Sequence, residues 1–323
     1  MKVFVQVPCL NEEATLATVL GSVPRQIDGV DEVELLVIDD GSTDRTGEIA
    51  REFGAHVLRH DRTMGLATSF RDGLDYALAH GADIVVNTDG DNQYPQDRIG
   101  DLVAPILRGE ADIVIGDRQT HKIAHFSPFK KAMQRFGSWV VNKAAGTDLP
   151  DAASGFRAYS KFAIYRLNVI TQFSYCMETI IQAGNKRLAI ASVAVDTNPK
   201  TRESRLFSSS LEHMMKSAQA ILRSYIMFRP WTIFMSLGAL FGLIGVFPYV
   251  RYLVLVATGD QGNHFQSLLL GAVFVMGAFL SLALGVLSDL LKTNRTLHEQ
   301  ALERLKEQQY GPALPASPTS RRD

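Results

Sequence analysis

The chain predicts an α/β fold, a mostly parallel sheet with helices on both faces, followed by an interfacial helix and two transmembrane helices. Two observations predict it. Through the first third, short apolar runs alternate with longer stretches of helical period, the pattern of strands joined by crossover helices. In the last third, Trp231 to Val250 and Leu268 to Leu287 carry no charged residue, and each matches the roughly 20 residues that cross a hydrocarbon core about 30 Å thick.

The elements follow in order. Lys2 to Val7 reads as a buried strand, and Asn11 onward as a helix start with Glu12 and Glu13 in its first turn. Val33 to Ile38 is a second strand, running into Asp39-Asp40-Gly41-Ser42-Thr43-Asp44, where Ser42 or Thr43 can cap a helix from Arg45 to Phe53. Ala55 to Leu58, Ile84 to Asn87 and Ile113 to Gly116 are further strands, and Ala67 to His80 and Asp97 to Arg108 further helices. Ligands of such sheets bind beyond the carboxyl ends of the strands. The acidic clusters at 39–40 and 89–91 and the segment Pro8-Cys9-Leu10-Asn11-Glu12 all fall at such ends.

Ser208 to Arg229 has the apolar face of an interfacial amphipathic helix, a charged helix is expected from Asn294 to Gln309, and the tail from Pro312 is rich in Pro, Ser and Ala. Four regions result: a catalytic domain at 1–207, a juxtamembrane helix at 208–230, a two-helix membrane region at 231–291 and a polar C-terminal segment at 292–323. The loop from Thr258 to His264 has no Lys or Arg, whereas Lys216, Arg223, Arg229, Lys292 and Arg295 flank the other side. The positive-inside rule then puts the α/β domain and both termini in the cytoplasm, at a multi-pass cell (inner) membrane protein. The N-terminal apolar run is too short for a signal-peptide core. Cys9 and Cys176 are the only cysteines and fit a reducing compartment, and a net charge of -1 argues against nucleic acid as a partner.

Asp89-Gly90-Asp91 places two carboxylates around a glycine at a strand end, where both can turn toward one hard cation, Mg²⁺ or Mn²⁺, that bridges a diphosphate. A carboxylate at 39 or 40 can accept hydrogen bonds from a base or ribose, though a capping turn uses the same residue types. Lys131, Arg135 and Ser138 share a helix face, as either an anion site or a solvated basic face. Asn198 to Arg205 brings Lys200, Arg202 and Arg205 together with Ser204 just ahead of the interfacial helix, suited to a phosphate or to anionic lipid. His60, His121 and His125 have no metal-ligand spacing and read as surface or packing residues.

Taken together, Pro8…Asn11-Glu12, Asp39-Asp40-Gly41-Ser42…Asp44…Thr46, Gly65-Leu66…Thr68…Gly73-Leu74, Asp89-Gly90-Asp91…Gln93…Pro95 and Ser154-Gly155-Phe156-Arg157 stand in an order that resembles family 2 glycosyltransferases. The likeness is to the branch that glycosylates dolichyl or polyprenyl phosphate and covers about residues 2–207. It implies a GT-A (Rossmann-like) domain in which Pro8, Asn11, Glu12, Asp39, Asp40, Asp89 and Gly90 line the site of a UDP- or GDP-sugar. Asp89, Asp91 and Gln93 would hold the metal, with Asp91 and Arg118 catalytic. Arg118, Arg135, Ser138, Arg202 and Ser204 would meet the acceptor phosphate. Thr63 and Ala67 depart from the basic residue and second glycine common in the Gly-Leu motif. Glu178 lies where relatives acting on sugar hydroxyls keep a base; a phosphate acceptor is already anionic and leaves it a positioning role.

The implied reaction is inverting transfer of a monosaccharide to polyprenyl or dolichyl phosphate at the cytoplasmic membrane face. The resemblance also admits another lipid or glycan acceptor and a homo-oligomer. A processive synthase would need more spans and a Gln-x-x-Arg-Trp motif, a nucleotidyltransferase leaves the spans unexplained, and no strand leads into the Gly-x-Gly-x-x-Gly turn of a dehydrogenase. A non-catalytic sugar-nucleotide-binding scaffold would tolerate loss of Asp89 and Asp91.

Overall fold

The structure is a computed structural model describing residues 1–119, 128–170, 175–198, 230–259, 262 and 265–313, with the backbone alone for 128–136. The interfacial helix expected at Ser208 to Arg229, together with Arg202 and Ser204, lies outside the described residues.

Seven strands form one sheet in the order β3-β2-β1-β4-β6-β5-β7. They are β1 (Lys2–Cys9), β2 (Glu32–Asp39), β3 (His56–Arg59), β4 (Ile84–Asn87), β5 (Ile113–Asp117), β6 (Arg157–Ser160) and β7 (Ile190–Ala194). β1 pairs in parallel with β2 and β4, β2 with β3, and β5 with β7, while β6 runs antiparallel between β4 and β5. β1 is buried on both faces from Val3 to Cys9, which is why it reads as a continuous apolar run.

The helices of this region are α1 (Leu16–Ser22), α2 (Thr46–Glu52), α3 (Leu66–Ala79), α4 (Ile99–Leu107), α5 (Pro128–Ala145), α6 (Lys161–Arg166) and α7 (Tyr175–Asn185). Val3, Val5, Val7, Leu35, Val37, Ile84 and Val86 pack with Leu16, Leu20, Ile49, Leu102 and Val103 in the main core. On the other face Phe70 of α3 stacks on Tyr175 of α7, with ring centroids 3.9 Å apart. Burying side chains of this size stabilises the fold by about 1.5–3 kcal/mol each.

Two local expectations change. The helix expected from Asn11 starts at Leu16 instead, because Asn11 takes φ 56 and is tied across the sheet edge: its amide donates to Ser42 Oγ at 2.9 Å and its Oδ1 accepts from Thr43 N at 2.8 Å. Those bonds also remove Ser42 and Thr43 as caps. At the start of α2 the Thr46 amide donates to Asp44 Oδ1 at 3.0 Å, and Asp44 Oδ2 accepts from Glu13 N at 3.1 Å. The acid is preferred there because two amides, one from each loop, need an acceptor.

The last two helices are α8 (Pro230–Ala257) and α9 (Phe265–Tyr310), with mean hydropathies of 2.0 and 2.4 over their most apolar windows. Only 6% and 17% of those windows is buried within the chain. Both are long and apolar enough to cross a membrane, and neither buries its apolar surface as a core helix of a soluble protein does. They pack through close backbone approach: a Cβ at Gly245 would lie 2.7 Å from Val275 N, and one at Gly271 2.9 Å from Gly245 O. The charged helix expected after Asn294 is the end of α9, since no Gly or Pro interrupts residues 286–310.

The chain divides into two compact units, Met1–Ile221 with Ala301–Asp323, and Leu222–Gln300. Within the first, the end of α9 binds α6: Glu303 Oε1 meets Arg166 Nε at 2.6 Å, Lys161 Nζ donates to Tyr310 O at 2.8 Å, and Tyr165 OH donates to Gly311 O at 2.7 Å.

Candidate active site

Because six strands run one way, their carboxyl ends share one edge. The antiparallel β6 contributes its amino end there, and with it the turn before Arg157. The edge therefore collects Pro8 to Glu12 after β1, Asp39 and Asp40 after β2, Thr88 to Asp91 after β4, Asp117 and Arg118 after β5, and Asp151 to Gly155 before β6. Strand order reverses between β1 and β4, the place where ligands of doubly wound sheets sit.

Asp39 and Asp40 have different fates. Asp40 spends both oxygens on one turn: Oδ1 accepts from His60 Nδ1 at 2.7 Å and Met64 N at 2.8 Å, and Oδ2 from Gly65 N at 2.8 Å. The turn crosses directly over Gly41, where φ is +80 and a Cβ would lie 2.9 Å from the Arg62 carbonyl carbon. Glycine is required on both counts. Asp39 is fully buried. Its Oδ1 accepts from Ser42 N at 2.8 Å, but Oδ2 has no hydrogen-bond donor, although Arg59 Nη1 lies 3.3 Å away without hydrogen-bond geometry. A buried carboxylate oxygen lacking a donor is costly and fits an N–H or O–H brought by a ligand. Of the two acids, Asp39 is the one with an oxygen that no hydrogen bond occupies.

Asp89-Gly90-Asp91 sits beside them. Gly90 is wedged against Cys9 and Glu12, where a Cβ would lie 2.9 Å from Sγ and 3.1 Å from Cγ, and Gly90 O accepts from Thr15 Oγ1 at 2.7 Å. Gln93 donates to Asp91 twice, Nε2 to Oδ2 at 2.6 Å and N to Oδ1 at 3.1 Å. Burial first, then the charge of Asp91, pushes the Asp89 carboxyl up to about 7. Among the described residues no set of three or more His, Cys, Asp and Glu side chains forms a ready metal cage. Two neighbouring carboxylates, Asp89 and Asp91, suit a hard divalent cation, which takes oxygen ligands. Gln93 is spent as a brace on Asp91 in this arrangement.

Arg118 lies past the end of β5. Its Nε donates to Asp151 Oδ2 at 2.7 Å and its Nη2 to Asp151 Oδ1 at 3.0 Å. Burial alone would raise the Asp151 carboxyl, but the hydrogen bonds and charge of Arg118 outweigh it and hold the carboxyl low. Ser138 Oγ accepts from Ala152 N at 3.3 Å, which brings α5 to the same turn. Arg135 is placed on α5 by its backbone. Glu178 is buried in α7 and accepts from Ile170 N at 3.2 Å and Gln182 Nε2 at 3.2 Å.

The motif Ser154-Gly155-Phe156-Arg157 is joined here by residues given no role in the sequence, Tyr94 and Asn87. Tyr94 OH accepts from Gly155 N at 2.9 Å while its ring stacks on Phe156 at 5.2 Å. A Cβ at Gly155 would touch both Asp89 oxygens at 3.4 Å. Arg157, fully buried, donates to Ser154 O, Ala152 O, Cys176 O and Thr179 Oγ1 at 2.6–2.9 Å. Asn87 donates to Gly155 O at 2.9 Å and Tyr175 OH at 2.7 Å and accepts from Gln6. The sequence signal for this network was the Ser154-Gly155-Phe156-Arg157 motif, which left its partners Tyr94, Asn87 and Gln6 unnamed. His60, taken as an ordinary packing residue, is bound to Asp40.

The chain's likenesses agree with this geometry. It is 27% identical over 217 residues to the UDP-N-acetylglucosamine–dolichyl-phosphate N-acetylglucosaminyltransferase of Methanococcus voltae, covering 60% of this chain and 85% of that one. It is 24% identical over 232 residues to the polyprenol monophosphomannose synthase of Mycolicibacterium smegmatis, covering 68% and 86%. Among solved structures, glucosyl-3-phosphoglycerate synthase from Mycobacterium tuberculosis in complex with Mn²⁺, UDP-glucose and phosphoglyceric acid aligns with a TM-score of 0.55 at 25% identity, covering 70% of this chain and 78% of that one. The profile described as "Glycosyl transferase family 2" matches residues 4–167. The chain belongs to glycosyl transferase family 2 and is a membrane-attached glycosyltransferase.

Proposed function

We propose that the enzyme transfers one sugar, with inversion, from a UDP- or GDP-sugar to polyprenyl or dolichyl phosphate at the cytoplasmic membrane face. The observation that carries this reading is the division of one sheet edge in a chain with two membrane spans. Carboxylates gather at the ends of β2 and β4, and an arginine lies at the end of β5. Relatives named for transfer to dolichyl phosphate and polyprenol support the lipid acceptor.

Each group then has a task. Asp39, through the oxygen that no hydrogen bond occupies and that Arg59 only faces, accepts a hydrogen bond from the base or ribose. Pro8, Asn11, Glu12 and Gly90 form the floor beside it, and Asp40 keeps the 60–65 turn closed over Gly41. Asp89 and Asp91, braced by Gln93, would hold a divalent cation, which would supply positive charge for the diphosphate. Arg118 directs the acceptor phosphate oxygen at the anomeric carbon, helped by Arg135 and Ser138 of α5 and by Arg202 and Ser204. No side chain has to remove a proton, because the phosphate is already anionic, so positioning and charge stabilisation lower the barrier.

The chain leaves its first unit at 221 and rejoins it at 301 after two spans. An even number of crossings returns the C-terminal segment to the face of the catalytic domain, in keeping with the basic flanks. The test is a panel. Purified enzyme with Mn²⁺ receives UDP-glucose, UDP-N-acetylglucosamine or GDP-mannose with undecaprenyl or dolichyl phosphate, and the lipid extract is weighed by mass spectrometry. One donor is expected to yield a lipid-phosphate monosaccharide. Transfer from none of them, or transfer by D91A equal to wild type, overturns the proposal.

A further inference from the structure

We propose that Asp151 is a positioning residue for the acceptor phosphate: it fixes the Arg118 guanidinium in one orientation and joins it to the turn that lies against Asp89. This rests on the reading of Arg118 as the acceptor-phosphate contact and assigns a role to a residue that reading leaves idle.

The pair is a two-point fork, with Nε to Oδ2 at 2.7 Å and Nη2 to Oδ1 at 3.0 Å. Planar, doubly bonded guanidinium–carboxylate pairs fix direction as well as distance. The fork uses Nε and one side of Nη2, leaving Nη1 outside the pair. A guanidinium has five N–H donors in a rigid plane, so holding one edge determines where the other edge points.

The carboxylate is itself held. The Asp151 side chain is 4% exposed against 20% for Arg118. Its oxygens also accept from Ala153 N at 3.3 Å and Arg118 N at 3.4 Å. The turn that carries it is fastened below by Arg157, which donates to Ala152 O at 2.9 Å and Ser154 O at 2.6 Å, and above by Ser138 at 3.3 Å. Four residues after Asp151, Gly155 is bonded to Tyr94, and a Cβ there would touch the Asp89 carboxylate. A single short turn therefore carries the partner of Arg118 at one end and a contact to Asp89 at the other, fixing the acceptor group relative to the carboxylate that holds the donor's metal.

Charge and geometry make opposite predictions, which allows a decision. Asp151 makes the pair formally neutral. Were it only a counter-ion, removing its charge would bare Arg118 and tighten phosphate binding. Were it a positioning group, the same change would loosen binding, because the guanidinium would lose its fixed edge.

The experiment titrates the purified full chain, with Mn²⁺ and UDP, against farnesyl phosphate, using farnesol as the uncharged control and UDP affinity as the donor control. D151N is expected to weaken farnesyl phosphate about tenfold, in the range seen for residues that orient a ligand group, while UDP affinity stays within about twofold of wild type. R118Q is expected to weaken it more, and D151N added to R118Q to cost nothing further. R118K should behave like R118Q, since an ammonium keeps the charge but cannot make the fork. Unchanged or tighter binding by D151N overturns the inference, as does an additive loss on the R118Q background. Should D151N fail to fold, R118K binding as tightly as wild type overturns it alone. R118Q binding like wild type sinks the acceptor reading of Arg118 and this inference together; R118Q weak with D151N unaffected sinks only this inference.

Discussion

On the β1–β2–β4 side of the site edge, the polar groups come from short segments that directly follow strands. Pro8 to Glu12, Asp39 to Asp44 and Thr88 to Gln93 each supply several of them, cross-bonded as Asn11 to Ser42 and Thr43, and Thr46 to Glu12. On the β5–β6 side, the groups come from distant places: Arg118 after β5, Asp151 ahead of β6, Ser138 on α5. The first side gathers carboxylates, and the second presents an arginine paired with an acid; in both, the joining bonds cross 31–34 residues of chain. Under the proposed function, a cation on a diphosphate needs carboxylates close together, which one loop can provide, whereas an acceptor phosphate needs an oriented guanidinium, which a second segment must hold.

The comparison breaks most severely if the acidic side is expendable. D91A, or D89A, is expected to lower transfer by about a thousandfold or more, since the charge stabilisation that such groups provide is the largest catalytic contribution. Chelation with EDTA should abolish transfer, and Mn²⁺ or Mg²⁺ should restore it in the wild type but not in D91A. Rates come from lipid-extractable product, and an unchanged melting temperature shows that the variant is folded. D91A at wild-type rate would leave a scaffold as the better reading.

The Arg118 side is expected to respond less and in a different parameter. R118Q should lower kcat/KM for undecaprenyl phosphate about a hundredfold, as misplacement of one reactant does, with donor KM near the wild-type value. A loss shared equally by both substrates would blur the division of the edge.

The uneven construction also explains how much was legible in the sequence. The strands from β1 to β5, the acidic strand ends and the two spans were readable because each is a local pattern: an apolar run, a cluster after it, or an uncharged stretch long enough to span. The antiparallel β6 was not. Its four residues Arg157 to Ser160 alternate no more clearly than many loops, and its place between β4 and β5 depends on pairing with strands about 45–70 residues away. Asp151 was hidden for the same reason, because nothing near it in the chain points to Arg118. The choice between Asp39 and Asp40 turned on which oxygens the backbone had already taken, and adjacent acids look alike until the turn at 60–65 is folded.

That choice gives the next prediction. D39N should raise donor KM about tenfold with little change in stability, because it alters an oxygen that waits for a ligand. D40A should instead destabilise the catalytic domain by about 3 kcal/mol, since Met64 N, Gly65 N and His60 lose their shared acceptor. Urea melts separate the two outcomes. D40A melting like wild type while donor KM rises would reverse the assignment.

The smallest effect is expected at Glu178, and its smallness carries information. The carboxylate is 3% exposed and accepts from Ile170 N and Gln182 Nε2. Its bonds lead into the scaffold of α7. An acceptor hydroxyl would have to lose a proton as it attacked, and a base in this position would be worth about a hundredfold or more. A lipid phosphate has lost that proton before it binds. E178Q keeps an oxygen for the Ile170 amide and should transfer within about threefold of wild type, consistent with the loss of one modest hydrogen bond. The decisive readout is the pH profile. If E178Q cuts transfer a hundredfold and removes the acid limb from kcat/KM against pH, Glu178 acts as a base and the acceptor is a hydroxyl. If the profile is unchanged, the site activates its acceptor by placement alone.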